Sequence, residues 1–274
     1  MTKKKNTALA VKENADVALP EDLSGSWGSE GVDNADILIP RALLMQPLSD
    51  FVADKVAAAG DIIKSTTKEV LYTESVDKPF EFIPIMTYKT WRIMVMKDGK
   101  YVFHSLEPMT ATNVNDPLEW LDGNQQFRRD RTINFYVLLP SEIKKEIVAL
   151  DKLSGGGIPD TDDCLVPCLL SFTRTSFPAG KELATHFKKA QHFRIPPAVT
   201  TFILFSEFEK NDKGNYYVYR VAKSRKTAIE ELSMCKRWYD TLQEASVVVD
   251  PEAEAEALDD PRANEDMADM NSTF

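Results

Sequence analysis

The sequence predicts a mainly β domain: a small antiparallel barrel with one inserted and one C-terminal helix. Three observations predict it. Phe80, Phe82, Ile83, Ile85, Met86, Tyr88, Trp91, Ile93 and Val95 form an apolar, β-prone run, and Lys97-Asp98-Gly99-Lys100 turns it into Tyr101-Val102-Phe103. Residues 199–208 and 216–221 make a second hairpin around residues 209–215, whose Asn, Asp and Gly tolerate the positive φ of tight turns. Longer helical spacing occurs in two places: Leu183, Ala184 and Phe187 within 181–190, and Ile229, Leu232, Cys235, Trp238 and Leu242 within 228–245.

The remaining elements follow in chain order. Folded structure starts at Ile37-Leu38-Ile39-Pro40-Arg41, and one helical turn over 50–59 is closed by Gly60. Residues 132–139 read as a strand ended by Pro140. Residues 165–173 read as another, which Pro167 restricts to an edge or a bulge because proline lacks the ladder N–H. Thr227 reads as the N-cap of the last helix, with Glu230 completing a capping box. The domain thus spans 37–249. Residues 1–36 are polar and small apart from Trp27, and 250–274 lose all periodicity; both lack the apolar area to offset ordering entropy and are expected to be disordered.

Charge separates the body from its end. The chain of 274 residues carries a net −10, but residues 250–274 hold nine acids against Arg262, a net −8. The other 249 residues carry only −2. No stretch approaches the roughly 20 apolar residues of a membrane helix, and no apolar core follows Lys3, Lys4 and Lys5. Three cysteines are too few for a disulfide framework. The expectation is a cytoplasmic protein, with no membrane association.

Catalytic motifs are absent. No glycine-rich loop leads into Lys and Ser or Thr, no nucleophile elbow is present, and Gly155-Gly156-Gly157 reads as a loop. Cys164, Cys168, His186 and His192 brush against zinc spacing. On one helix, however, two histidines six residues apart would diverge by about 240°, and Cys168 sits in an apolar strand where a buried thiol is usual. The reading is a non-enzyme with no metal and no cofactor.

Cations and rings cluster instead. Residues 214–226 hold Arg220, Lys223, Arg225 and Lys226 with no acid, beside Tyr216, Tyr217 and Tyr219. Arg174, Lys181, Lys188, Lys189 and Arg194 form a second group, Arg128, Arg129 and Arg131 a third, and Lys89, Trp91 and Arg92 a fourth. Cations along phosphates and rings for unpaired bases are what a single-strand binder needs. On a strand, Tyr217 and Tyr219 share one face, and period two does not say whether that face is core or surface. At the far end, Met267, Met270 and Phe274 interrupt the acidic run, so a terminal ring with nearby Asp266 and Asp269 suits a basic-rimmed pocket on a partner.

A basic, aromatic barrel followed by an acidic tail ending in Phe274 resembles the single-stranded-DNA-binding replication proteins of tailed bacteriophages. Ile39-Pro40-Arg41-Ala42-Leu43-Leu44-Met45-Gln46, and Val166-Pro167-Cys168-Leu169-Leu170-Ser171-Phe172 with Lys181, are similar to phage replication-module proteins of this type. The resemblance implies an OB-fold-like barrel that coats and protects single-stranded DNA in the host cytoplasm during replication and recombination. It also implies a tail that recruits replication proteins such as a DNA polymerase or a helicase/primase, and it admits homo-oligomers. The competing class is an adaptor or scaffolding protein that does not bind DNA and uses the acidic tail as a docking tag.

Overall fold

One long strand organises the sheet. A computed structural model describes residues 38–74, 80–155, 165–211 and 214–244. In it, β4 (Phe80–Lys97) pairs antiparallel with β7 (Gln125–Leu138) from Ile83 opposite Leu138 to Val95 opposite Phe127. Along its other edge β4 has two successive partners: β9 (Thr200–Asn211) at Phe80–Phe82, then β5 (Lys100–Pro108) from Thr90 onward. Pro84 lies in the gap between them, where its missing N–H interrupts no ladder on that edge, and the β4–β7 register shifts between Pro84 and Met86. The β4–β5 turn is as expected: Asp98 and Gly99 both take positive φ, 49° and 78°, the two-residue geometry that matches strand twist.

The full path runs β10 (Gly214–Lys226), β9, β4, β7, β8 (Cys168–Thr173), β1 (Arg41–Leu44), β2 (Ile62–Lys64) and β3 (Val70–Tyr72), with β6 (Glu119–Asp122) added to β7. Among the described strands only β1 with β8 is parallel; the other pairings are antiparallel. The mainly β class stands, but the closed OB-fold-like barrel does not, because β10 and β3 end the hydrogen-bonded path.

The sheet nevertheless curls back on itself. The Tyr219 hydroxyl on β10 donates to the Ala42 carbonyl on β1 at 2.9 Å, although four strands separate the two in the path. Side chains do the joining. Gln46 Nε2 donates to the Tyr217 carbonyl at 2.9 Å, and Gln46 Oε1 accepts from the Tyr217 N–H at 3.0 Å. A carboxamide carries the same donor and acceptor as a peptide, so one glutamine replaces one rung of a ladder. Ser176 Oγ accepts from the Tyr219 N–H in the same seam. Gly60, at φ 91°, lets the Tyr217 ring approach to where a Cβ would stand, 2.5 Å away.

Strand alternation fills two cores. The inner face of the curl sends Phe82, Phe135, Leu170, Phe172, Phe202 and Tyr219 against helix α3 (Phe177–Phe193), whose Leu183 and Phe187 face them. The opposite face sends Ile83, Ile85, Tyr136 and Leu138 against α2 (Pro140–Ser154) and α4 (Ile229–Glu244). Short α1 (Asp50–Ala53) closes a satellite cluster of Leu43, Met45 and Ile63 with Phe51 and Val52.

Several local expectations need correction. Helix α2 is absent from the sequence reading: Pro140 ends the preceding strand and also opens this helix, since its fixed φ suits a first helical residue. Pro167 precedes β8 rather than marking an edge, and β8 is interior, between β7 and β1. The cap of α4 is one residue later than predicted. Glu231 reaches back to the Ala228 N–H at 2.8 Å, while the Thr227 hydroxyl lies 3.1 Å from that of Thr201. Residues 1–36 and 250–274 lie outside the described residues, as do Cys164 and most of the glycine loop.

Two substitutions test the seam and the helix seat. Gly180→Ala would place a Cβ 2.6 Å from that of Phe172 and is expected to cost about 1–3 kcal/mol in urea unfolding through overpacking. Gln46→Ala leaves the Tyr217 peptide groups without their partner and is expected to cost about 1–3 kcal/mol.

Candidate functional site

Strand period two splits the Phe127–Arg131 segment of β7 between two faces, and each face builds a different charged arrangement. Arg128 and Asp130 point one way, Arg129 and Arg131 the other. The sequence reading takes these residues as a single basic cluster.

On the first face, Asp130 is fully buried and two guanidiniums grip it. Arg128 Nε donates to Oδ1 at 3.0 Å, and Arg174 Nε donates to Oδ2 at 2.7 Å. Arg174 comes from the 3-10 turn that follows β8 and adopts φ 46°, a left-handed backbone unusual for a residue other than glycine. Arg92, also buried, adds its charge from β4. Burial by itself pushes the Asp130 carboxyl up, but the charges of Arg174 and Arg128, with Arg92 behind them, hold it below its ordinary value. Next to this cluster, polar side chains cross four strands: Arg41 Nη2 donates to Ser171 Oγ, Ser171 Oγ to Asn134 Oδ1, and Asn134 Nδ2 to Thr90 Oγ1.

On the second face, rings and guanidiniums alternate. Trp120 of β6 stacks on Phe127 at 5.3 Å with 13° between the planes. The Arg129 guanidinium lies 4.5 Å from the Trp120 ring centre and 5.5 Å from that of Trp91, and Arg131 lies 5.5 Å from Trp91. The contacts therefore run Phe127, Trp120, Arg129, Trp91, Arg131. The first members belong to an apolar cluster with Ile93, Val95 and Val102; Arg131, at the last, is exposed, as is Lys89 on the neighbouring strand. The turn after β5 braces this ladder. Asn113 Oδ1 accepts from the Trp91 indole N–H at 3.1 Å, and Asp116 Oδ2 accepts from Arg129 Nη1 at 3.0 Å. Arg129 is 11 % exposed, and its Nε–H has no hydrogen-bond partner among the described residues. A buried unsatisfied donor of this kind costs about 1–3 kcal/mol unless an acceptor arrives.

The other predicted residues lie elsewhere. Tyr219 is buried and, like Trp91 within the ladder, offers no ring face to an incoming base. Tyr217 is half-buried, its ring edge-on to Phe208 and against Gly60. Arg220 is paired with Glu207 and Glu209, and Arg225 forms a two-pronged pair with Glu231 at 2.7 Å. Lys223 and Lys226 are exposed on β10. Lys181, Lys188 and Lys189 are exposed along α3, with Lys181 over the Phe177 ring and Lys188 donating to Gln191, and Arg194 ends that helix in a left-handed conformation. Phe274, Asp266 and Asp269 lie outside the described residues.

Trp120, Asn113 and Asp116 escape the sequence reading because nothing local links them to Arg129; Asp130 between two arginines is the one readable signal. Cys168 and Cys235 are buried free thiols, each pushed by burial to about 12. His186 sits 3.0 Å from the Pro197 carbonyl. Among the described residues, no three His, Cys, Asp or Glu side chains are grouped to hold a metal ion, and no helix is long and apolar enough to cross a membrane.

Fold and site together define a mainly β protein with a ring–guanidinium ladder on one sheet face and a buried ion cluster on the other. A family model described as "Pam3 phage gp34-like protein" matches residues 4–248, so the chain belongs to that bacteriophage family. No curated protein and no solved structure matches it.

Asp130 sets an expected pH dependence. Because its folded-state value lies below the ordinary 3.8, its stabilisation is fully present above about pH 4 and is lost as pH falls through the lower, folded value. Asp130→Asn should destabilise the fold by about 3–5 kcal/mol at pH 7, by leaving buried guanidiniums without their carboxylate. Thermal melts between pH 7 and pH 3 should show the parent losing more stability than the variant; equal losses would contradict this account of the cluster.

Proposed function

We propose that the protein binds single-stranded DNA for phage replication or recombination, at the exposed Arg131–Lys89 end of the ring–guanidinium ladder. The observation that carries the reading is that ladder: it continues a stack of planar groups out of an apolar cluster to a solvent-facing cation. A guanidinium plane held against an indole is a surface on which an unpaired base stacks, and its charge meets the phosphates on either side. Lys89 supplies a second phosphate contact on the adjacent strand. Membership of a phage family and the basic-aromatic composition are in keeping with this reading. In it, the acidic segment 250–274, with Asp266, Asp269 and Phe274, recruits replication proteins such as a polymerase or a helicase.

Titration with oligo-dT under tryptophan fluorescence tests the proposal. Trp120 and Trp91 stand in the ladder, so binding is expected to quench emission, and affinity is expected to fall steeply with salt. Arg131→Ala should weaken binding by about 1–2 kcal/mol, whereas Lys223→Ala with Lys226→Ala, on the far edge strand, should have little effect. Absence of binding at low salt, or equal losses from both sets of variants, would sink the assignment.

A further inference from the structure

We infer that Asp116 is a built-in stand-in for a phosphate, and that Arg129 is the subsite a phosphodiester takes over when it displaces that carboxylate. The inference rests on the single-strand reading and deepens it.

Four observations converge on Arg129. Its guanidinium is held against two indoles, Trp120 at 4.5 Å and Trp91 at 5.5 Å, which fix its plane. Its side chain is 11 % exposed, so its charge is largely removed from water. Its Nε–H has no partner among the described residues, although Arg129 is otherwise enclosed. Its carboxylate, Asp116, is attached through one nitrogen, Nη1, at 3.0 Å, and is itself 44 % exposed.

Arg225 shows the fuller use of a guanidinium fork, gripping both oxygens of Glu231. Asp116 instead engages Arg129 by one prong, Nη1, at the exposed rim of the ladder. Asp116 belongs to the turn after β5, where its N–H donates to the Asn113 carbonyl, and it is not packed into the apolar cluster behind the ladder. A phosphate entering from the Asp116 side brings more acceptor oxygens than the carboxylate it replaces, and it can grip the Nη1–Nη2 edge of the guanidinium with two of them. The exposed neighbour Arg131 would then hold the adjoining base, so one nucleotide spans two successive residues of the same strand face. In the absence of DNA, Asp116 neutralises Arg129 and keeps other small anions out.

Competition of this kind has a signature that a merely structural pair lacks. In the parent protein, binding expels a carboxylate from Arg129 rather than a counterion. The freed carboxylate takes up a cation and offsets the one that the phosphate releases, an offset that Asp116→Asn lacks. The variant is therefore expected to bind oligo-dT up to about fivefold more tightly at low salt, the worth of an exposed ion pair. The slope of log K against log salt should also steepen by about 0.7. Asp116→Glu, which keeps the charge, should bind within about twofold of the parent. Circular dichroism melts confirm that each variant is folded, and Asp116→Ser serves as a second neutral variant if the asparagine form is not. If a folded neutral variant binds no more tightly and keeps the parent slope while Arg131→Ala is weakened, the stand-in role is wrong and the single-strand reading survives. If the parent and every variant fail to bind oligo-dT, the reading itself fails.

Discussion

The grip of Arg128 and Arg174 on the Asp130 carboxylate is the constraint on which the rest of the site depends. One anion ties the middle of β7 to the turn that leads into α3, and it does so where no described side chain leaves the carboxylate open to water. A buried ion pair adds little net stability compared with apolar packing, yet removing one partner is costly because the others remain desolvated. The cluster therefore acts as a register pin. Slipping β7 by one residue would drive Asp130 to the opposite face and bring Arg129 and Arg131 into the buried network.

That pin gives the opposite face its geometry. With Asp130 fixed, Arg129 and Arg131 must project toward Trp91 and Trp120, and the ladder forms without a dedicated loop. Indoles are good partners for guanidinium because the ring face is negative and the cation is weakly hydrated. The brace from Asn113 and Asp116 then sets how far the ladder is open. Asn113 spends its oxygen on the Trp91 indole and on the Thr110 N–H, and its amide on the Pro108 carbonyl, so the turn after β5 is held at three points.

The curled sheet solves an edge problem in an economical way. Strand β10 would expose main-chain donors and acceptors along its free side, which invites unwanted pairing. Gln46 and Ser176 occupy part of that edge with side chains rather than a further strand, and the Tyr219 phenol, whose burial keeps it protonated, reaches across to β1. The inner core of aromatic residues stays enclosed without a fully closed barrel.

The sequence by itself determined the mainly β class, both long hairpins and the helices after β8 and β10. Those features rest on contacts between residues close in the chain: the Asp98-Gly99 turn, the alternation along β4, and the i, i+3, i+4 stripe of α4. It also singled out Lys89, Trp91, Arg92, Arg128, Arg129, Arg131 and Arg174, which the fold distributes between the two charged arrangements. Only the tertiary structure decided which of these cations are buried around Asp130 and which stand on rings. Asp116 and Arg129 are 13 residues apart, Arg174 and Asp130 are 44 apart, and Gln46 and Tyr217 are 171 apart. Each pair meets because strands distant in the chain are neighbours in the sheet, and local periodicity carries no record of such neighbours.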